Sequence, residues 1–404
     1  MIGRRRWHLR VAVLVLLWAA AAVVVAIIHP FIPAARWLMV HVLVLGVAAN
    51  AIVIWSSYFA DALLRTRRIG HRREALTLLI LNPGIVAVGA GVVTGWYPVL
   101  MIGAALIAAA ALLHGVGLWL QSRGTLASRF SVTVRYYITA ALCLPVGGWL
   151  GVEMVRGSQE MFAQLLFAHI GLNVLGFVGL TVAGTLLTFW PTMLRTQIEA
   201  GAERAVARAW WLLVLGLLII TGSSALDSPW AVAVGVLVYI AGLAVIGVSL
   251  VRAAAARAPS HFGPWSVAFS LGWWVGSLVI LTLMLISAES MSDAVGSVRS
   301  LTAPFALGFL AQLIAGALSY LLPVVLGGGP GVTRRTTALL DRGRWVRLVV
   351  LNGAALLALI PAPPPMQLSL SFLAASALVM FLVLAVRAII AAVRKETAPR
   401  PVDA

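Results

Sequence analysis

Read only for hydrophobic and polar positions, the chain is a series of long apolar runs separated by short polar interruptions. A helix that crosses a bilayer needs roughly 20 apolar residues. By that criterion about twelve runs qualify: approximately 9–29, 37–64, 75–95, 97–120, 131–152, 162–194, 208–226, 229–252, 264–288, 299–326, 344–360 and 366–393. Backbone amides in lipid have to be bonded within their own segment, so each run reads as a helix. The first run, Val11 to Ile28, follows "RRRWHLR". It is long for a signal-peptide core, and no small-residue cleavage site follows "IIHPFIP", so it reads as a retained helix.

The interruptions alternate in charge. "RTRRIGHRR", "QSRGTLASR", "RTQIEAGAERAVAR", "RAAAARAPSH" and "TRRTTALLDRGRWVR" are arginine-rich. "VTGWYP", "ALDSP" and "PAPPP" are nearly free of Lys and Arg, while "GVEMVRGSQE" and "SAESMSDAVGSVRS" balance their arginines with carboxylates. Cytoplasmic loops collect Lys and Arg, which places the basic loops and both termini in the cytoplasm. An even number of spans returns the chain to the side it started from, in agreement.

Composition supports the same class. The 404 residues are 62% hydrophobic and only 10% charged, against about 25% charged in soluble domains, and the mean hydropathy is +1.04. The expectation is a single polytopic membrane domain over 1–404, with the lipid bilayer as its first partner. A net charge of +17 suggests nucleic acid in a soluble protein. Here the arginines follow the loop pattern and form no basic face interleaved with aromatics, so nucleic acid is not expected. The single cysteine, Cys143, excludes an internal disulfide and any cysteine-rich metal site.

Three stretches align with one another. "VLGVAANAIVIWSSYFADALLRT" begins at Val44, "VLGFVGLTVAGTLLTFWPTMLRT" at Val174 and "ALGFLAQLIAGALSYLLPVVLGG" at Ala306. Leu-Gly recurs at Gly46, Gly176 and Gly308, and Ala-Gly at Gly184 and Gly316. Proline is expected to close the helix at Pro191 and Pro323. "LILNPG" and "VVLNGA" agree more weakly, their Asn82 and Asn352 expected to satisfy backbone disturbed by Pro83 and Gly353. A period this long does not suit a solenoid. It divides the chain into three four-helix units, 1–124, 125–258 and 259–404, in which the second, sixth and tenth runs are equivalent. Their glycines permit close helix approach.

Twelve helices in three four-helix arcs resemble the haem–copper oxidase subunit I superfamily, and "HIGLNVLGFVGLTVAG" from His169 is similar to its short, divergent members. These include NnrS-like proteins and the membrane modules associated with actinobacterial multicopper oxidases. Such members carry His-x-His-Leu-Asn-Leu-Leu-Gly-Phe near the outer end of a helix. The resemblance implies an all-α integral membrane fold in a bacterial cytoplasmic membrane, and haem or copper as cofactor. The departures limit it. His169 matches the first histidine of the pair, but Gly171 stands at the second. In the second run Met39 holds the first position and His41 the second. In the tenth, Leu301 and Ala303 stand there, and the seventh run also lacks histidine. The family's oxygen-reducing centre therefore has no ligand set. Asp61, Glu153 and Glu160 all lie near run ends, leaving no mid-membrane carboxylate for a proton relay.

Of seven histidines, His8, His71 and His261 fall in basic segments and read as solvated, and His29 beside Pro30 as interfacial. His41 and His169 lie one and two turns inside their runs on the outer side. A neutral imidazole there is a ligand for haem iron or copper, or a hydrogen-bonding partner for a neighbouring helix. His114 lies toward the opposite end of the fourth run, as a separate candidate ligand. Neither outer histidine has a carboxylate nearby to orient it, although ligating imidazoles need one or a carbonyl. Arg36, Arg156 and Arg299 precede the three equivalent runs and would pair with haem propionates if haem is bound, or snorkel to the interface. Asn50, Asn173, Thr181 and Gln312 read as interhelical hydrogen-bonding groups. "GGGPG" from Gly327 lacks the Gly-Lys-Ser/Thr ending of a phosphate loop and reads as a connector.

Two functions are consistent with these observations. One is a haem- or copper-binding membrane protein on a degenerate oxidase scaffold. It would handle metal or nitric oxide, or deliver electrons to a partner such as an extracellular multicopper oxidase, without pumping protons. The other is a metal-free binding or transport protein that retains the scaffold. Each unit has four helices and so keeps the same orientation, which weakens the inverted-repeat transporter option.

Overall fold

The computed structural model describes residues 2–65, 71–124, 130–157, 161–360 and 363–394. Glu160, the C-terminal residues beyond 394 and the centres of the loops at 66–70 and 125–129 lie outside the described residues. The chain is all-α, with no strand among the described residues. Its helices are α1 (Ile2–Ile28), α2 (Ala35–Leu63), α3 (Arg72–Thr94), α4 (Tyr97–Arg123), α5 (Ser131–Arg156), α6 (Phe162–Leu194) and α7 (Ala202–Ala225). Then follow α8 (Pro229–Ala256), α9 (Phe262–Ile286), α10 (Met291–Leu326), α11 (Pro330–Leu340), α12 (Arg344–Leu357) and α13 (Pro364–Arg394).

Eleven of these, α1 to α10 and α13, are long and apolar enough to cross a membrane. The protein is a multi-pass membrane protein. The sequence reading of twelve differs at 344–360, where α12 has only 14 residues, or about 21 Å at 1.5 Å per residue. Its first turn carries Arg344 and Arg347, and the chain turns at 358–359, so the apolar run is cut at both ends. The arginine-rich loop before it also contains structure the pattern did not show. Gly327, Gly328 and Gly329 all have positive φ, and α11 starts at Pro330. Glycine alone takes such a run without strain.

The prolines do not close their helices. α6 runs on past Pro191 to Leu194 and α10 past Pro323 to Leu326. α6 ends at Arg195, in the left-handed region at φ 56. Proline removes one amide, but the following turn still finds carbonyl partners.

Helices α2, α6 and α10 share a rarer feature. Each has a π-helical stretch: Val42–Ala49, Gly171–Leu180 and Pro304–Ala311. A polar residue reopens the α-helix in each, namely Asn50, Thr181 and Gln312, all buried. Changing from i→i+4 to i→i+5 bonding leaves carbonyls short of a donor, and in lipid they need another. Asn50 donates to the Gly46 carbonyl at 2.7 Å and Thr181 to that of Phe177 at 2.7 Å, each four residues back. These polar residues therefore serve their own helix first. Interhelical bonding is secondary, as where Asn82 donates to Asn50 at 3.0 Å.

The chain clusters into two compact units: residues 1–43, 259–274 and 303–404, and residues 44–258 with 275–302. In the first, α13 packs on α1, α11 and α12. The Gly308 position lies against the Trp273 indole, and Gly316 against Gly263 and Ser266. In the second, α3 packs on α4, α5 on α6, and α7 on α8. Two of these pairs cross at facing glycines. A Cβ on Gly84 would lie 3.0 Å from the Gly103 carbonyl, and one on Gly216 2.8 Å from that of Gly235. α6 meets α5 in the same manner, with Gly176 against Cys143 and Gly184 against Tyr136.

These crossings predict a contrast. Gly216→Ala meets backbone on α8 and is expected to destabilise by about 1–3 kcal/mol. Gly148→Ala, with nothing within 4 Å, is expected to stay within about 0.5 kcal/mol of the parent. Unfolding in mixed detergent micelles measures both, and equal stability of the two variants contradicts the packing described.

Candidate functional site

The sixth helix brings its polar residues to a notch in α5. Pro145 lies inside α5 and is followed by Gly147, Gly148 and Gly151. The His169 imidazole occupies this notch. A Cβ on Gly151 would be 2.8 Å from its Cε1, and one on Gly147 2.6 Å from the Asn173 amide. Any side chain at these two positions displaces the histidine or the asparagine. The π stretch begins at Gly171, two residues after His169, and π-helical turns concentrate at functional positions.

The notch also fixes the imidazole's proton. His169 Nδ1 lies 2.7 Å from the Gly147 carbonyl oxygen. A carbonyl only accepts, so Nδ1 carries the hydrogen, and Nε2 of the neutral ring keeps its lone pair. The Asn173 amide nitrogen is also 3.2 Å from Nδ1. Two donors cannot bond each other, and that amide donates instead to the His169 carbonyl at 3.0 Å. A carbonyl thus takes the orienting role for which the sequence offered no carboxylate. Metal-bound histidines use the same arrangement.

His41 is built differently. Its ring stacks on Trp37 with centroids 3.9 Å apart, and Nδ1 donates to the Trp37 carbonyl at 2.8 Å, one turn back in its own helix. It is half-buried and is the last residue before the π stretch of α2. His41 and His169 belong to different compact units. His114 is buried on α4 and pairs through Nε2 with Ser56 Oγ of α2 at 2.8 Å. Ser56 spends its own hydrogen on the Ile52 carbonyl, so His114 Nε2 is the donor and is not a free ligand atom.

The three arginines are exposed. Arg156 lies 3.9 Å from Glu153 and over the Tyr97 ring, and Arg36 and Arg299 face outward. Among the described residues, no group of three or more His, Cys, Asp or Glu side chains gathers as a metal site. A multi-ligand zinc- or copper-type cage is therefore not built from those residues. An anchored single imidazole could supply one ligand to haem iron or to copper.

Other chemistry escaped the sequence reading. His8 is buried rather than solvated. Glu74 is buried at the start of α3 with His71 Nδ1 3.3 Å away. Arg347 is buried in the first turn of α12, stacked 3.4 Å over the Phe262 ring and donating to the Leu340 carbonyl. Burial pushes its guanidinium down to about 10, against the pull of Asp341. In sequence, all these residues look like loop charges. Asp341 ties the same corner together by accepting from the Phe262 amide at 2.5 Å beside Arg344.

The His114–Ser56 pair gives a direct test. A double-mutant cycle with Ser56→Ala and His114→Ala is expected to show coupling of about 0.5–2 kcal/mol. Additive losses in unfolding free energy contradict the bond. No protein-family model matches this chain, and no curated protein matches it.

Proposed function

We propose that the chain binds haem or copper through His169, on a degenerate scaffold of the haem–copper oxidase subunit I type. The observation that carries this reading is the imidazole wedged in the α5 notch, with Nδ1–H on the Gly147 carbonyl, the tautomer in which Nε2 carries the lone pair. His41, oriented by the Trp37 carbonyl, is its counterpart on α2. Arg36, Arg156 and Arg299 are the propionate partners if the group is haem. Bound haem or copper would supply the one-electron or small-gas chemistry that side chains lack. The protein's part is to hold one ligand atom in place within an apolar surround. The work is metal or nitric-oxide handling, or electron delivery to a redox partner such as an extracellular multicopper oxidase. The N-terminus and the arginine-rich loops face the cytoplasm of a bacterial cell; eleven crossing helices would put the C-terminus on the opposite side, and it joins them only where α12 also crosses.

The scaffold reading is a threefold repeat of four helices. It is supported by the π stretches, which end at 49, 180 and 311, two steps of 131. π-helix makes up well under 1% of residues in proteins, so three such stretches in register argue against coincidence. The glycine crossings agree: Gly84 and Gly103 on α3 and α4 correspond to Gly216 and Gly235 on α7 and α8, both shifted by 132. α12 is the shortened member of the third unit.

A metal-free binding or transport role is the second reading. The His114–Ser56 pair favours it, because there an intramembrane histidine bonds a neighbouring helix. Expression with haem and copper supplied, followed by purification, separates the two. The proposal expects absorbance in the haem Soret region or bound copper, lost in His169→Ala and reduced in Gly151→Val, which displaces the ring. Wild type carrying neither group, or His169→Ala and His41→Ala both retaining full occupancy, makes these histidines structural.

A further inference from the structure

Where α6 ends, residues 196–199 lead to α7 as a strap without regular secondary structure. Strap, α6, α7 and α8 together line a partly open cavity of about 300 Å³. Its origin lies in the sequence. Left-handed Arg195 turns the chain away from α6, and the end of α8 is "RAAAARA", whose small side chains leave space unfilled. Trp190 donates to the Leu250 carbonyl at 3.0 Å and holds α6 to α8 beside the opening.

The cavity has two zones. Pro191, Val206, Ile246 and Leu250 form an apolar wall continuous with the spanning helices. At its outer end Arg252 pairs with Glu199 of the strap. Glu199 engages Nη1 of Arg252, leaving Nε and Nη2 of an exposed guanidinium for another acceptor. Around this end Arg195, Arg204, Arg208, Arg252 and Arg257 outnumber Glu199 and Glu203.

We propose that this cavity is a binding site for an anionic phospholipid from the leaflet at the arginine-rich end. One acyl chain would lie along the apolar wall and the phosphate at Arg252, with Glu199 positioning the guanidinium. Basic pockets between spanning helices select anionic headgroups, and a guanidinium bonds phosphate oxygens in pairs. The wall excludes free phosphate as the occupant, since a small hydrated anion gains nothing from apolar surface. The volume falls at the lower end of small-molecule sites, about 300–1,000 Å³, enough for part of a chain rather than a whole lipid. The site is independent of whether His169 carries a metal.

Thermal unfolding of the purified full chain in detergent tests this, with added phosphatidylglycerol, phosphatidylcholine or inorganic phosphate. Phosphatidylglycerol is expected to raise Tm, the other two not. Arg252→Gln and the cavity-filling Ala253→Phe are each expected to lose more than half of that rise. Arg208→Gln, an arginine of the same end outside the cavity lining, is expected to keep it. If a variant fails to fold, native mass spectrometry of the wild type replaces it, with retained phosphatidylglycerol in preference to phosphatidylcholine as the expected result. Equal effects of the two lipids, a rise with phosphate alone, equal losses in Arg208→Gln and Arg252→Gln, or retention of neither lipid overturns the proposal.

Discussion

The close approach of α6 to α5 is the interaction on which the candidate site depends. In lipid, apolar surface gives helices little reason to associate, so packing contacts and backbone satisfaction decide which faces meet. α5 presents Gly147 and Gly151, and α6 presents Gly176 and Gly184. Each glycine receives a side chain of the other helix: Asn173, His169, Cys143 and Tyr136 in turn. The exchange is reciprocal, and it places a histidine ring against a carbonyl of its neighbour. The hydrogen bond to Gly147 follows from that contact, and the tautomer follows from the hydrogen bond.

The π stretches extend the same logic along the chain. An added residue within a helix rotates the face that follows, at the cost of carbonyls without amide donors. In water such carbonyls are easily solvated. In a membrane they need a donor from the protein. Asn50 and Thr181 provide it from the first position after the stretch. Gln312 holds the same place in α10, where its own carbonyl accepts from Ser266 at 2.8 Å. At Asn50 and Thr181 a polar residue in an apolar helix is thus explained by local backbone geometry, before any ligand is considered.

This explains which features the sequence displays. Apolar run length alone locates the spanning helices, because bilayer thickness fixes it. It misplaces 344–360, since charges within a run shorten it in a way a hydropathy reading underweights, and Arg347 turns inward over Phe262. The glycines at 176, 184, 308 and 316 are legible because a Cβ there would meet a neighbouring helix. The histidine's orienting partner was not legible, because a carbonyl is present at every residue and leaves no mark in the sequence. The run "PVGGWLG" on α5 was the available signal, a proline followed by three glycines within seven residues. The Glu199–Arg252 pair was hidden for a different reason: it joins a loop to a helix end 53 residues away.

Function in this account depends on the state of one ring. Burial by itself does not choose which nitrogen of His169 is protonated, and the Gly147 carbonyl selects Nδ1. Nitrogen-15 solid-state NMR of histidine-labelled protein in lipid measures this directly, with the signal assigned by its loss in a His169 variant. The account predicts a protonated Nδ1 and an Nε2 that is bare or metal-shifted. A proton on Nε2 with Nδ1 bare would contradict it.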